Sequence, residues 1–106
     1  MDNKVRKIIE MLHGELGALY GQRLSKLVLF GSQARDDMAP GSDIDILIVL
    51  QGDVIPGEEI SRAGEITSRL SLDSDTVISC AFVSEDTYAA ARNPLIINVR
   101  REGLEV

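Results

Sequence analysis

The stretch LVLFGSQARDDMAPGSDIDILIVL, Leu27 to Leu50, decides how this chain is read. Two apolar runs flank a loop that gathers a Gly-Ser pair, an arginine and four aspartates. Asp43 and Asp45 stand two residues apart where the second run begins. Carboxylates at the mouth of a buried strand are costly unless they are paired or bind a cation. Alternate strand residues share a face, so both point the same way, with Cα atoms roughly 6.6 Å apart. At that spacing the two can reach one Mg²⁺, or one of them can bridge a pair of ions. Hard divalent cations favour carboxylate oxygen, and Mg²⁺ completes its shell with water and substrate phosphate.

The other side of the loop makes a complementary offer. Gly31 and Ser32 directly follow the first apolar run. A glycine there lets backbone come close to a ligand, and the N–H groups that follow, at the start of a short helix, can point at phosphate oxygens. The Ser32 hydroxyl adds a donor, and Arg35, one turn on, can brace the loop or a phosphate. One half thus donates to an anion, and the other holds the cation that the anion brings. The chemistry implied is metal-assisted phosphoryl or nucleotidyl transfer, with charge neutralisation and in-line positioning carrying most of the catalysis.

Working outward, Val5, Ile8, Ile9, Leu12, Leu16 and Leu19 follow three-and-four spacing and predict an amphipathic helix over 3–20. Asp2 or Asn3 is the expected cap and Gly21 the terminator. Strands are expected at 26–30 and, from its β-branched content, at 43–50. A second helix is expected over 57–72, with Ile60, Ala63, Ile66, Thr67 and Leu70 on one stripe. The run TVISCAFV, 76–83, is apolar on both faces, as expected of a central or covered strand. Ser84 with Glu85 and Asp86 caps a short helix to about 91, and Asn93-Pro94 starts another that reaches about Arg101 and ends at Gly103. The order helix, strand, strand, helix, strand, helix, helix specifies a small α/β (α+β) fold, a mixed sheet flanked by helices, over a single domain, 1–106.

Composition narrows the function classes. The 106 residues are 44% hydrophobic and 26% charged, as in ordinary globular proteins. Aromatic content of 4% without Trp argues against a base-stacking platform, and a formal charge of −6 against broad binding to a nucleic-acid backbone. The lone Cys80 excludes an internal disulfide and a thiolate zinc cage, which fits a reducing compartment. No apolar run approaches a bilayer span and no signal-peptide core is evident, so a cytoplasmic, soluble protein is expected.

The segment GSQARDDMAPGSDIDILIV resembles the signature of the minimal nucleotidyltransferases of the DNA polymerase beta superfamily: Gly-Ser, a short Ala-Arg helix, then Ser-Asp-x-Asp entering a strand. Gly31, Ser32, Ala34, Arg35, Ser42, Asp43 and Asp45 fall on that pattern. The resemblance implies the nucleotidyltransferase fold and transfer of a nucleoside monophosphate, AMP from ATP in the first instance, to a partner protein or a small hydroxyl acceptor, with release of pyrophosphate. It implies that Gly31 and Ser32 hold the β- and γ-phosphates, with Arg35 and Ser42 beside them, and that Asp43 and Asp45 ligate two Mg²⁺ ions. Relatives of this size resemble the catalytic half of two-component systems with a helical HEPN protein, in some of which the small chain is an antitoxin that adds AMP to its helical partner. A homodimer that completes the site is the other arrangement.

One departure from the pattern bears on mechanism. The family places a third carboxylate on the strand after the second helix, and TVISCAFV contains no acidic residue. Asp75, just before that strand, is the nearest substitute for the third metal ligand, and Asp73 is further off. With two carboxylates the domain could transfer nucleotide, or bind it and act by association as a weak or inactive antitoxin subunit. Asp36 and Asp37 are read as solvated loop residues, His13 as a surface residue, and Cys80 as a small buried hydrophobe.

Overall fold

The computed structural model describes residues 3–31, 34 and 43–106. The first amphipathic period forms helix α1, Asn3–Tyr20, which buries Val5, Ile8, Ile9, Leu12, Leu16 and Tyr20 along one stripe. Gly21 ends it in the left-handed conformation, φ +56°, and opens a 3-10 turn over Gly21–Arg23. Strand β1, Leu24–Phe30, starts two residues before the expected run. Strand β2, Ile44–Leu50, follows antiparallel to it, with Phe30 opposite Asp45 and Leu24 opposite Leu50. Apart from Asp45, every residue of β2 is buried.

Pro56, at the first helical position, starts helix α2, Pro56–Ser74, with Glu58 and Glu59 in its acidic first turn. Asp75 closes it in the left-handed conformation, φ 52°. Strand β3, Ile78–Ser84, then runs parallel to β2, as a helical crossover allows. Helix α3, Glu85–Ala90, is capped by the Ser84 hydroxyl, which accepts from Thr87 N at 3.1 Å. Helix α4, Pro94–Glu102, is capped by Asn93 Oδ1, which accepts from Ile96 N at 2.9 Å. Gly103 ends α4, and the tail adds a two-residue strand β4, Leu104–Glu105, antiparallel to β1.

The sheet is mixed, in the order β3-β2-β1-β4. Strand parity sorts its side chains into two cores. Leu27, Leu29, Ile44, Ile46, Ile48, Leu50, Ile78 and Phe82 face α1 and α2 in the larger cluster. Val28, Leu47 and Val49 face the other way, with Phe30, Ala81 and Val83, and pack on Val99 of α4 and Tyr88 of α3.

Two expectations are refined. Of the two alternatives for the third strand, covered holds: among the described residues β3 is an edge strand with helices on both sides of the sheet. The α2 stripe holds at Ala63, Ile66 and Leu70 but not in the first turn, where Ile60 is 55% exposed and Glu59, 2% exposed, enters the core instead. That burial is tolerated because three partners converge on the carboxylate. The Tyr20 hydroxyl donates to Oε1 at 2.9 Å, Arg62 Nη1 donates to the same oxygen at 2.7 Å, and Arg23 Nη2 lies 3.5 Å from Oε2. Arg23 also donates to the carbonyls of Gln51 and Asp53, at 3.2 and 3.1 Å. This network ties the end of α1 and the exit of β2 to the start of α2. Burial, then the hydrogen bond to Glu59, pushes the Tyr20 hydroxyl up to about 12.

Candidate active site

The two carboxylates sit where β2 begins. Asp43 precedes the strand and is exposed; Asp45, its second residue, is half-buried. They share the face that carries Leu47 and Val49, the side covered by α3 and α4. Ile44 between them points into the opposite core and is fully buried, which anchors the strand mouth. Its N–H donates to the carbonyl of Val77 at 2.9 Å, so the ladder to β3 is already in place at this point. Burial, then the nearby charge of Asp43, raises the carboxyl of Asp45 above its ordinary value. Both causes penalise an ionised Asp45, and a cation placed between the pair would relieve both.

Gly31 completes this corner. It follows β1, whose last residue Phe30 lies opposite Asp45, and it adopts φ +73°, a conformation that side chains disfavour. A Cβ at residue 31 would overlap Oδ2 of Asp45. The Asp45 carboxylate thus packs against the bare backbone of Gly31, in space that any side chain there would claim. Two adjacent carboxylates, one held at a cost, form a donor set that suits a hard divalent cation.

The remaining expected residues divide into two groups. Ser32, Arg35 and Ser42 lie outside the described residues, as do Asp2, Asp36 and Asp37. Asp75 is described: it is the exposed left-handed cap of α2, ahead of β3. Among the described residues, no third His, Cys, Asp or Glu joins Asp43 and Asp45 in a cluster. His13 is exposed, as expected. Cys80 is largely covered, and burial pushes its thiol up to about 12.

Two features of the corner were not foreseen. In the parallel ladder Asp45 pairs with Ser79, so Phe30, Asp45 and Ser79 form one row across three strands on the same face. Ser79 is exposed and stands beside the carboxylate. A cleft of about 170 Å³ also opens next to Gly31, between Phe30 and the α4 residues Leu95, Asn98, Val99 and Glu102. Strand register and helix docking bring these residues together, and neither leaves a local trace in the sequence.

Comparison with known proteins identifies the family. The nucleotidyltransferase domain family matches residues 9–102. Two proteins of Methanocaldococcus jannaschii are similar to the chain. "Putative protein adenylyltransferase MJ0604" is 37% identical over 82 residues, 77% of this chain and 76% of that protein. "Putative protein adenylyltransferase MJ0141" is 32% identical over 76 residues, 72% of this chain and 76% of that protein. Among solved structures, a toxin-antitoxin crystallised with AMP-PNP superposes with a TM-score of 0.66 at 19% identity, covering 98% of this chain and 72% of that one. That last likeness is one of fold. The family match spans nearly the whole chain, both carboxylates and Gly31 included, and the chain belongs to the nucleotidyltransferase domain family.

Proposed function

We propose that this nucleotidyltransferase is an adenylyltransferase that moves AMP from ATP to a hydroxyl group on a partner protein. The acceptor oxygen attacks the α-phosphorus and its proton passes to solvent water; the bond from that phosphorus to the bridging oxygen breaks, and pyrophosphate departs. Asp43 and Asp45 hold Mg²⁺, which when bound neutralises phosphate charge and polarises the transferring group. Gly31, with Ser32, Arg35 and Ser42, receives the triphosphate. The observation that carries the reading is the pairing of Asp43 and Asp45 on one face, with Asp45 Oδ2 set against the backbone of Gly31 where a Cβ would overlap it. Adenylyl as the group and protein as the acceptor are supported by what the two Methanocaldococcus jannaschii relatives are named for. A partner in a toxin-antitoxin pair is supported by the toxin-antitoxin described for the structural neighbour; that it is of the helical HEPN type rests on the sequence resemblance alone.

A second reading rests on a specific observation: two clustered carboxylates with no third among the described residues. On that reading the chain binds ATP·Mg²⁺ and acts by association, with little turnover. Incubation with Mg²⁺ and α-labelled ATP, with and without the product of the adjacent gene, decides between them. Label on the neighbour that disappears with the double substitution Asp43→Asn, Asp45→Asn supports transfer at this site. Label that persists in the double variant refutes the site. Binding of ATP without any transfer, by a chain that still associates with its neighbour, selects the second reading.

A further inference from the structure

The cleft beside Gly31 shares that residue with the carboxylate corner. Its walls are unlike each other. Phe30, Leu95 and Val99 supply apolar surface, with Leu95 45% exposed and Val99 buried. Asn98 and Glu102 line the cleft from exposed positions on α4. The wall is also firmly placed. Asn93 caps the start of α4, Val99 plugs its middle into the second core, and at its end Gly103 lies so close to Val28 and the Val99 carbonyl that a Cβ would collide with both. Beyond it β4 pairs with β1, and Val106 N donates to Leu27 O at 2.9 Å.

Resting on the nucleotide reading above, we propose that this cleft receives the nucleoside end of the triphosphate, with Asn98 as a specificity-determining residue. A base or ribose has the matching character: apolar faces for Phe30, Leu95 and Val99, and a polar edge for an amide that can both donate and accept. At about 170 Å³ the space is smaller than the roughly 300–1,000 Å³ of drug-sized pockets, which suits one ring system and not a peptide. Position argues the same way. Gly31 forms part of the cleft and also faces Asp45, so a ligand whose phosphates meet the carboxylate-bound cation extends directly into the cleft.

Calorimetric titration of the full chain with Mg²⁺ plus ATP, GTP, CTP, UTP or inorganic triphosphate separates the two ends of the ligand. Asn98→Ala, which sits on an exposed helix face, is expected to weaken ATP binding about tenfold, the scale of one lost hydrogen bond. It is also expected to narrow the spread among the four nucleotides and to leave inorganic triphosphate unaffected. In the wild type, NMR contacts are expected between base or ribose protons of ATP and the Leu95 and Val99 methyl groups. Equal losses for ATP and triphosphate, an unchanged ATP affinity, or contacts from those protons to other methyl groups would overturn the cleft assignment while nucleotide binding stands. Failure of the wild type to bind either ATP or triphosphate would instead remove the reading on which the assignment rests.

Discussion

Replacing Gly31 by alanine tests the corner with the smallest possible change. Two effects add. An L-residue in the left-handed conformation costs roughly 1–2 kcal/mol, and Gly31 sits at φ +73°. The new methyl also overlaps Oδ2 of Asp45, so either the carboxylate turns away or the turn after β1 shifts. At about 4–8 °C per kcal/mol for a chain of this size, the first effect alone predicts a fall in Tm of roughly 4–16 °C. The second falls on function, since a displacement of about 1 Å at a reacting centre can cost on the order of a hundredfold in rate. Gly14→Ala is the control, because Gly14 lies inside α1 with nothing within 4 Å of its would-be Cβ. There the same substitution removes a helix penalty of about 1 kcal/mol and raises Tm. Scanning calorimetry gives the two Tm shifts, and titration with ATP·Mg²⁺ and transfer from labelled ATP give the functional loss. A Gly31→Ala protein with wild-type Tm, affinity and transfer would refute the claim that this glycine is required by φ and by the approach to Asp45.

The remaining predictions concern stability and titration. Glu59→Ala removes the acceptor of Tyr20 and Arg62; because both arginines of the network are partly exposed and can rehydrate, the expected loss is about 1–3 kcal/mol by urea unfolding. A loss below about 0.5 kcal/mol would mean that the buried network is dispensable. Cys80 has a folded pKa of about 12 against an ordinary value of 9.0, so it favours the folded state at neutral pH and below, and that contribution is lost as pH rises through 9 toward 12. Iodoacetamide at pH 8 is accordingly expected to label Cys80 slowly in the native protein and rapidly in urea; equal rates would contradict its burial.

The elements that carry a strong local period were legible in the sequence, and those set by long-range pairing were not. Helix α1 runs over the predicted 3–20 because its apolar stripe is unbroken and a glycine with positive φ ends it. The caps Ser84 and Asn93 were legible because each acts within three residues of itself. The edge position of β3 was not, since an edge strand covered by helices on both faces has the same composition as a central one. Glu59 was missed for a related reason: periodicity cannot anticipate that Tyr20, 39 residues earlier, will satisfy a buried carboxylate. β4 is too short, at two residues, to show any period. At the site, Gly31, Asp43 and Asp45 could be read from residue type and spacing. Ser79 could not, because only the register of β3 against β2 puts it beside Asp45; nor could Asn98, which depends on where α4 docks.

The two ends of β2 are built for different tasks, and that division explains how a chain of this size can tolerate a strained corner. At the exit of β2, Arg23 holds the carbonyls of Gln51 and Asp53 and joins Tyr20 and Arg62 around Glu59, so polar groups there are matched and closed. Between the ends, Ile46 to Leu50 are fully buried with alternate side chains in two cores, which fixes the register of the strand against both neighbours. At the entrance, Asp45 interrupts that run, its ionised form is disfavoured by burial and by Asp43, and Gly31 holds a backbone conformation that other residues resist. Charge and backbone strain thus collect at one end of a strand that is secured along its length and at its far end. On the proposed reading, a cation bound by Asp43 and Asp45 would relieve that charge, so the features that make the entrance costly in the free protein would favour a metal-nucleotide there.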